Sequence, residues 1–305
     1  MRNKGEVLLP LGDGDIIAYE AAFAGQYREK DEETGEWGEI KILPFTAVKE
    51  KIERMSYDLM DTLDTYLEPI MFLTGEDNFR EEIAKRKGYK ENRDRSKRPY
   101  HLENARNYIT ARYNTATSRG CEADDLLAIA QTRYNRLYAE GKSKVRSVIC
   151  TRDKDLRQVP GLHYGWEMHN QPEFPLTEVD ELGTLTPTYI EKVSKKTGKT
   201  TKSMKPGSLK GTGAKWFYTQ ALIGDITDNI PGLKGYGQVT AYTLMDKCKS
   251  EDELIDTVVA AFKKVYGDAW HEELYEQVRL VYMIREQNED GSLQHWELPR
   301  RFYGG

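Results

Sequence analysis

Cysteine and histidine are scarce in this sequence. Its 305 residues include five histidines and three cysteines, Cys121, Cys150 and Cys248, and no C-x-x-C pattern occurs. Because three thiols cannot all pair, the sequence predicts neither a disulfide framework nor a zinc site. It favours a reducing, cytoplasmic setting, which for a viral protein is the host cytoplasm.

Long apolar runs are also missing. No stretch approaches the roughly 20 apolar residues that a membrane-spanning helix needs. The first residues, M-R-N-K-G-E-V-L-L-P-L-G-D, contain too short an apolar run for a secretory signal. Mean hydropathy is -0.73 and charged residues make up 31%. We therefore expect no membrane contact, and one large domain or two of ordinary size.

A basic balance is absent as well, since the formal net charge is -5. The charges are unevenly distributed, however. Residues 80–98 contain nine Lys or Arg against four Asp or Glu, and residues 192–215 contain eight Lys and no acidic residue. Basic segments in an acidic chain favour an enzyme that binds phosphates while holding cations. The alternative is a solvated surface or a mobile loop, which the Gly, Ser and Thr content of 192–215 favours.

Strand-like and helix-like apolar patterns alternate over the first half of the chain. One strand is predicted at the start of the segment 6–18, and others at 69–73 and 145–151. Helices are predicted at 45–67, 101–115 and 122–138. This alternation predicts an α/β fold with a mainly parallel sheet. Beyond residue 215 the pattern predicts a helical domain, with helices at 216–222, 237–247, 251–266 and 269–286.

Acidic residues recur near the ends of the predicted strands, where α/β sheets bind ligands. The set consists of Asp13, Glu122, Asp124, Asp125, Asp153, Asp155, Asp225 and Asp228. Two like charges about 4 Å apart repel by roughly 4 kcal/mol at an effective dielectric constant of about 20, so cations must offset such a cluster. Oxygen ligands without His or Cys favour Mg²⁺ or Mn²⁺. Two such ions form the arrangement that hydrolyses phosphodiesters.

Each acidic cluster also has an ordinary structural explanation. The carboxylates at 122–125 precede an apolar helical pattern, and acidic side chains at a helix start cap free N–H groups. Asp153 and Asp155 are compatible with a turn. Asp225 and Asp228 are compatible with a helix cap, and their i, i+3 spacing predicts one helical face. The coincidence of the clusters favours the metal site.

Residues 232–241, G-L-K-G-Y-G-Q-V-T-A, have the form of a helix–hairpin–helix nucleic-acid motif. Gly232, Gly235 and Gly237 let the backbone approach phosphates and expose N–H groups at the start of the next helix. Such contacts position a nucleic acid without reading its bases. The motif therefore predicts a phosphate-binding hairpin directly after the last acidic pair.

These motifs together resemble the family of 5′→3′ exonucleases and flap endonucleases, which includes bacteriophage enzymes and the nuclease domain of bacterial DNA polymerase I. The matching stretches are G-D-G-D (12–15), N-F-R-E-E (78–82), G-Y-K-E-N-R (88–93), G-C-E-A-D-D (120–125), T-R-D-K-D-L (151–156) and G-D-I-T-D-N-I-P-G-L-K-G-Y-G (224–237). The resemblance implies a PIN-like (resolvase-like) nuclease domain over 1–170 with a helical arch at about 80–100. A lysine-rich insertion or loop over 171–214 and a helix-three-turn-helix DNA-binding domain over 215–305 follow.

The same resemblance implies roles for individual residues. It divides the metal ligands between two ions: Asp13, Glu122, Asp124 and Asp153 with their neighbours for one, and Asp155, Asp225 and Asp228 for the other. It implies that Lys90 reaches the scissile phosphate with help from Arg80, and that Tyr89 and Tyr19 stack on the base near the cut. The implied DNA contacts are Arg93, Gly232, Lys234, Gly235 and Gly237, and the glycine hairpin of this family can also hold a K⁺ ion. From the residues alone, Lys90 is one surface lysine among many and Tyr19 is equally compatible with a core aromatic.

Two features depart from the family pattern. Family members usually carry a further Asp on the strand before the F-R pair, where this sequence has Phe72-Leu73-Thr74-Gly75, so Glu76 or Asp77 is the candidate substitute. The lysine-rich stretch 192–215 has no counterpart. Our hypothesis is that it forms an additional phosphate-contacting loop.

The sequence thus favours a monomeric, structure-directed 5′ nuclease that uses two Mg²⁺ or Mn²⁺ ions in bacteriophage DNA replication. Its expected substrates are DNA with a 5′ flap, nick or 5′ end, with an RNA–DNA hybrid as a further candidate. One alternative is a PIN-type ribonuclease, which generally lacks the arch and the glycine hairpin. The other is a catalytically silent, structure-specific DNA-binding protein that uses its acidic residues structurally.

Overall fold

The structure, a computed structural model, describes residues 6–168, 171–193, 198 and 200–303. The described helices are α1 (Gly14–Ala24), α2 (Phe45–Thr62), α3 (Phe79–Ile83), α4 (Leu102–Arg112), α5 (Ala123–Ala139), α6 (Gly213–Ile223), α7 (Gln238–Met245), α8 (Glu251–Tyr266) and α9 (Trp270–Val281). The described strands are β1 (Val7–Asp13), β2 (Gln26–Tyr27), β3 (Lys41–Ile42), β4 (Ile70–Glu76), β5 (Thr115–Arg119), β6 (Val145–Cys150), β7 (Gly161–Gly165), β8 (Phe174–Val179), β9 (Leu185–Thr186), β10 (Tyr189–Val193), β11 (Thr200–Met204) and β12 (Lys210–Gly211).

The chain forms two compact units that are discontinuous in sequence. The first consists of Met1–Asn78, Asp94–Arg152 and Gly161–Thr177, and the second of Phe79–Arg93, Asp153–Pro160 and Glu178–Gly305. The predicted domains are contiguous, so they divide the chain differently, and their boundaries stay a prediction. Among the described residues, no helix combines the length and apolar character that crossing a bilayer needs.

The first unit is built on a six-stranded sheet in the order β5-β4-β1-β6-β7-β8. The pairs β4–β5, β1–β4, β1–β6 and β6–β7 are parallel, so the predicted α/β fold with a mainly parallel sheet is confirmed. The central strand β1, V-L-L-P-L-G-D, is buried over nearly its whole length, as parallel strands covered on both faces are. Apolar residues of α1, α2 and α4, such as Ile17, Ile52 and Ile109, complete this core.

Pro10 lies inside β1 although proline cannot donate to a sheet ladder. β1 pairs with β4 only from Leu11 onward, one residue after Pro10. The hydroxyl of Thr65, just before β4, donates to the carbonyl of Leu8 at 2.6 Å. The backbone groups of alternate residues in a strand point to the same neighbouring strand, so the nitrogen of Pro10, like the carbonyl of Leu8, points toward β4. Because the hydrogen bonds between β1 and β4 begin only after Pro10, its missing N–H interrupts no ladder.

The second unit is mainly helical. Its core contains Trp216 and Phe217 from α6, Leu254 and Phe262 from α8, and Val278 from α9. The helices predicted beyond residue 215 are therefore confirmed, with boundaries shifted by a few residues. Part of the segment predicted as an insertion or loop forms two antiparallel strand pairs, β9–β12 and β10–β11. Residues 194–197 and 199 of the lysine-rich stretch lie outside the described residues.

The predicted arch contains little regular helix. Its described residues form the five-residue helix α3 and a 3₁₀ turn at Arg95–Lys97, with turns and bends between them. The sequence there, with Gly88 and Pro99 and a high density of charge, lacks the long apolar periodicity that stabilises an isolated helix.

Candidate functional site

Asp13 lies at the carboxyl end of β1, where the sequence predicts a ligand site. The residue is 2% exposed, and its carboxylate caps α1 by accepting from Ile16 N at 3.0 Å and also accepts from Thr151 Oγ1 at 2.7 Å. Thr151 follows β6 directly, so parallel strand ends bring these two residues together. Asp13 is therefore held rigidly by neutral donors at the predicted edge of the sheet.

The acidic residues 122–125 form the start of α5. Glu122 is the N-cap residue, and Glu122 and Asp125 form a capping box in which Asp125 Oδ2 accepts from Glu122 N at 3.0 Å. Both residues are buried, whereas Asp124 is half-buried. The helix-start explanation is confirmed as geometry. Metal binding by these carboxylates stays a prediction.

A cluster that the sequence reasoning missed surrounds Thr74, near the end of β4. Thr74 N donates to Asp15 Oδ2 at 2.9 Å, and Ala123 N donates to Thr74 Oγ1 at 3.0 Å. Arg106 donates to both Asp15 and the Thr74 carbonyl. The neighbouring candidates for the missing family carboxylate, Glu76 and Asp77, are exposed. Their role as a substitute ligand stays a prediction.

Tyr19 lies on α1 and is accessible. Its side chain is 42% exposed and packs edge-on against Phe23 at 4.9 Å between ring centroids. The alternative that Tyr19 is a core aromatic is therefore wrong, and its predicted stacking on a base stays a prediction.

In the second unit, Asp153 and Asp155 flank Lys154 at the start of a 3₁₀ turn (Asp155–Gln158). Asp155 N donates to Asp153 Oδ1 at 2.8 Å, and Gln220 of α6 donates to Asp155 Oδ1 at 2.6 Å. Trp216, also on α6, donates to the Lys154 carbonyl at 3.1 Å. Two side chains of one helix thus fix this turn, and the turn alternative for Asp153 and Asp155 is confirmed as geometry.

Asp225 and Asp228 lie in a turn after α6, so the prediction that they share a helical face is wrong. Gly224 ends the helix with φ 71°, a conformation that favours glycine. Asp225 N and Ile230 O are 3.0 Å apart, and Ile230 N donates back to Asp225 O at 2.7 Å, which closes the turn. The Asp225 side chain accepts from Thr227 N at 2.7 Å and from Lys154 Nζ at 2.8 Å.

The G-Y-K-E-N-R stretch (88–93) docks onto this turn through its backbone. Lys90 N donates to the Asp228 carbonyl at 3.0 Å, and Asn229 Nδ2 donates to the Gly88 carbonyl at 2.8 Å. Asn92 Nδ2 donates to the Ile226 carbonyl at 2.8 Å. Two stretches that the sequence reasoning selected separately therefore meet in one unit.

Side chains of the docked stretch converge on the Asp228 carboxylate. Arg93 donates to Asp228 Oδ1 at 2.6 Å and Tyr89 to Asp228 Oδ2 at 3.1 Å, and Lys90 Nζ lies 3.7 Å from Asp228 Oδ2. Lys154 Nζ lies 2.8 Å from Asp225 and 3.9 Å from Asp155. We call these residues the acid–base cluster: Lys90, Arg93, Asp153, Lys154, Asp155, Asp225 and Asp228.

Burial and unequal pairing separate the pKa values in the acid–base cluster. Burial raises the pKa of Asp153, and it holds the pKa of Asp155 well above the ordinary value, with a further contribution from the Asp153 charge. Burial also acts to raise the pKa of Asp225, but the hydrogen bond and charge of Lys154 outweigh it and lower the net pKa. Lys154 Nζ lies closer to Asp225, at 2.8 Å, than to Asp155, at 3.9 Å, so its charge outweighs the effect of burial on the pKa only at Asp225.

The donor chemistry of the acid–base cluster fits an oxygen-ligated divalent cation. Four carboxylates face three basic side chains, and further positive charge would relieve the raised pKa values of Asp153 and Asp155. In the part of the chain that the structure describes, no three His, Cys, Asp or Glu side chains are arranged to hold a metal ion. Here Lys154, Lys90 and Arg93 pair with carboxylates, so metal ligation stays a prediction.

The structure contradicts the roles that the resemblance implies for Arg80 and Tyr89. The predicted phosphate contact of Arg80 is wrong, because its side chain is completely buried and donates to the carbonyls of Leu280 at 3.1 Å and Tyr282 at 2.6 Å. The predicted base stacking of Tyr89 is also wrong, because the residue is only 9% exposed and belongs to the helical core. Tyr89 instead presents its hydroxyl to Asp228.

The glycine hairpin combines one tight contact with an open end. At Gly232, φ is 69° and an added Cβ would lie 2.5 Å from Ile223 C, so only glycine fits there. At Gly235 (φ 86°) and Gly237, an added Cβ meets nothing within 4 Å. Gly237 is the N-cap of α7 and is exposed, as is Lys234. This open end leaves the first N–H groups of α7 available to an anion.

Sequence reasoning also missed Lys154, Gln220 and Arg86. Lys154 lies between the selected residues Asp153 and Asp155 in T-R-D-K-D-L, so its position in the sequence could have indicated a place near these carboxylates. Gln220 carried no signal beyond its place in an apolar helix. Arg86 fastens the 79–93 segment to the unit by donating to Tyr266 at 2.9 Å and to the Gly232 carbonyl at 3.3 Å.

Comparison with known proteins gives structural neighbours alone: no family model and no curated protein matches the chain. A complex of a bacteriophage T5 flap endonuclease variant with DNA and metal ions, described as a pseudo-enzyme–product complex, has a TM-score of 0.46 at 15% identity. The match covers 90% of this chain and 99% of that one. The T5 5′-exonuclease with bound zinc has a TM-score of 0.45 at 16% identity, covering 90% and 100%. These neighbours are of the kind that the sequence motifs resemble. At such scores they carry no functional argument, which must come from the residues of this chain.

Proposed function

We propose that this protein is a divalent-metal-dependent 5′ nuclease that hydrolyses phosphodiester bonds of DNA. The observation that carries the proposal is the acid–base cluster. It brings together four carboxylates, two of them with burial-raised pKa values, and three basic side chains that lie 2.6–3.9 Å from oxygens of Asp155, Asp225 and Asp228. Carboxylates to hold cations and cationic groups to hold a phosphate are the two requirements of phosphodiester hydrolysis.

Asp155, Asp225 and Asp228 would hold one divalent ion, Mg²⁺ or Mn²⁺. Asp153, which the resemblance assigns to the other ion, belongs to the same unit as these three and would join them. A bound ion supplies Lewis-acid stabilisation of phosphate charge and lowers the pKa of a bound water. The chain's own part is to orient the carboxylates, through Gln220 on Asp155 and Thr227 N on Asp225. Lys90 and Arg93, which pair with Asp228, would turn to the substrate phosphate.

We propose that the first unit holds the other ion, through Asp13, Glu122, Asp124 and Asp125. The supporting observation is the rigid placement of Asp13 at the end of β1 and of Glu122 and Asp125 at the start of α5. Tyr19, exposed on α1 six residues after Asp13, would stack on a base. Glu76 or Asp77 would supply the remaining carboxylate.

The glycine hairpin would bind the DNA backbone. The exposed, unobstructed backbone at Gly235 and Gly237 and the exposed Lys234 support this role. The hairpin is also the proposed K⁺ site. The proposed substrates are DNA flaps, nicks and 5′ ends, or RNA–DNA hybrids, and the setting is bacteriophage DNA replication in the host cytoplasm, with the chain acting as a monomer.

One observation favours a second candidate, a catalytically silent DNA-binding protein. Lys154, Lys90 and Arg93 already neutralise carboxylates in the acid–base cluster, as fixed internal cations would. In that case the cluster stabilises the fold and the glycine hairpin alone carries the function.

An assay with a 5′-labelled DNA flap and a nicked duplex separates these candidates. We expect cleavage of both with Mg²⁺, no cleavage with EDTA, and no cleavage by Asp225→Asn. The matched control is Asp252→Asn, an exposed acidic residue of α8 outside the cluster, which should cleave normally. DNA binding without cleavage in any divalent metal would contradict the nuclease and favour the silent candidate. Cleavage confined to single-stranded RNA would favour a ribonuclease.

A further inference from the structure

The lysine-rich stretch that has no counterpart in the resembled family is partly built into the second unit. β10 and β11 form an antiparallel hairpin with the register Tyr189↔Met204 to Val193↔Thr200. Met204 packs against the helical core. The base of the hairpin is therefore anchored to the unit, and the loop interpretation does not describe this part of the stretch.

A tight turn over residues 205–210 continues from β11. Ser208 N donates to the Lys205 carbonyl at 3.2 Å, and Ser208 Oγ donates to the same carbonyl at 2.7 Å. Lys205 N donates to the Thr188 carbonyl at 2.8 Å, which ties the turn to the residue before β10. These bonds fix the backbone of Lys205 at one end of the turn, and the pairing of Lys210 with Thr186 fixes the other end.

The 205–210 turn lies against the start of α7. Leu209 is 5% exposed and belongs to the same core as Ala241 of α7. Leu209 N donates at 3.3 Å to Oε1 of Gln238, which is the first residue of that helix. Lys205 and Lys210 themselves are exposed. A cationic turn is thus fastened beside the exposed start of α7 at Gly237.

The sequence of this segment is rich in lysine. Residues 192–215 contain no acidic residue, and Lys234 adds a further exposed cation on the glycine hairpin. Lys215, in contrast, is buried and donates to the Asp246 carbonyl at 2.8 Å, so it does not contribute. Exposed lysines beside a helix N-terminus are complementary in charge to backbone phosphates.

We infer that the 205–210 turn and the start of α7 form one continuous surface for the phosphate backbone of duplex DNA. The inference rests on the proposed function, because it assigns the surface to the same substrate. It adds a contact made by a segment outside the motifs. This contact strengthens binding uniformly across sequences, since it reaches phosphates and no bases.

The test is the salt dependence of binding to a nicked duplex, measured by fluorescence anisotropy between about 50 and 200 mM KCl. Ca²⁺ replaces Mg²⁺, and a gel verifies that the DNA stays intact. The slope of log K against log salt concentration is negative, and removing one lysine–phosphate interaction reduces its magnitude by about 0.9. Lys205→Ala combined with Lys210→Ala should therefore reduce the magnitude by up to about 1.8. The pair Lys205→Arg with Lys210→Arg should retain the wild-type slope.

Lys142→Ala with Lys144→Ala is the matched control. This pair removes the same charge from the loop before β6, at the amino-terminal edge of the sheet, and should leave the slope unchanged. Wild-type binding with an unchanged slope in the 205–210 variant would overturn this inference alone. The inference would also be overturned if the control pair reduced the magnitude of the slope as much as the 205–210 variant does, because loss of positive charge anywhere on the protein would then explain the result. Absence of duplex binding by the wild-type chain would overturn the proposed function together with the inference.

Discussion

The pairing of Lys154 with Asp225 gives the most quantitative prediction. The Asp225 side chain is 3% exposed and accepts from Lys154 Nζ at 2.8 Å, whereas the Lys154 side chain is 50% exposed. Asp225→Asn keeps an oxygen for Thr227 N but turns an amide donor toward the ammonium group. Hydrogen bonds to charged groups contribute about 1.5–3 kcal/mol. Since Lys154 can turn to water, we expect no additional penalty from a stranded charge.

A double-mutant cycle with Asp225→Asn and Lys154→Met isolates this interaction. Urea unfolding in EDTA at pH 7 should give a coupling free energy of about 1.5–3 kcal/mol. In thermal unfolding, a loss of this size lowers Tm by about 3–12 °C for a domain of roughly 150–250 residues. The control cycle uses Arg301 and Asp252, an exposed pair at 2.7 Å with side chains 42% and 73% exposed, which should couple by about 0.2–1 kcal/mol.

The pH dependence of the same cycle distinguishes loss of charge from loss of packing. The pKa of Asp225 is lowered in the folded chain: burial acts to raise it, but the bond and charge of Lys154 dominate. Its stabilising contribution is therefore present above the unfolded pKa of about 3.9 and is lost as pH falls through the folded pKa. The difference between wild type and Asp225→Asn should vanish on acidification. A difference that persists unchanged at pH 3, or a coupling no larger than that of the control pair, would refute the reasoning.

Three further predictions concern the residues whose roles the structure reassigns or supports. Arg80→Met should lower the free energy of unfolding by about 2–6 kcal/mol, because two buried carbonyls each lose a donor at about 1–3 kcal/mol; normal stability with weakened DNA binding would return Arg80 to the phosphate. Gly232→Ala should lower the free energy of unfolding in urea more than Gly235→Ala does. Both glycines have a positive φ, which costs about 1–2 kcal/mol for an L-residue, but only at Gly232 would the added Cβ also lie 2.5 Å from the Ile223 backbone. Equal losses would contradict the tight contact. Mn²⁺ should raise the Tm of wild type more than that of Asp155→Asn, since the variant lacks one of the proposed carboxylate ligands and binding stabilises the folded chain. Equal shifts would remove Asp155 from the ligand set.

Long, periodic elements were predictable from the sequence. α5 and α8 begin and end within about two residues of their predicted positions, because apolar residues recur at helical spacing along them. The strands β9 to β12 were not, since they are two to five residues long and partly polar, as T-T-K-S-M of β11 is. Such strands depend on tertiary pairing rather than on a pattern of their own.

The chemistry of the candidate site was predictable in its residue types and less so in its geometry. The sequence selected Asp153, Asp155, Asp225 and Asp228, and the structure brings them into one unit with the separately selected stretch 88–93. It misplaced Asp225 and Asp228 on a helix, although Gly224 signalled a helix end. The burial of Arg80 gave no signal, because arginine is ordinarily exposed and nothing local identifies its carbonyl acceptors.

The central claim is metal-dependent hydrolysis near a 5′ end, and the size distribution of products from a 5′-labelled flap tests it most directly. With Mg²⁺ and wild-type protein, we predict labelled products that end near the flap junction or are released one by one from the 5′ end. Asp124→Ala should yield none of them while its circular dichroism and Tm stay those of the wild type. Intact substrate after prolonged incubation with Mg²⁺, by a chain that binds the flap, would contradict the account.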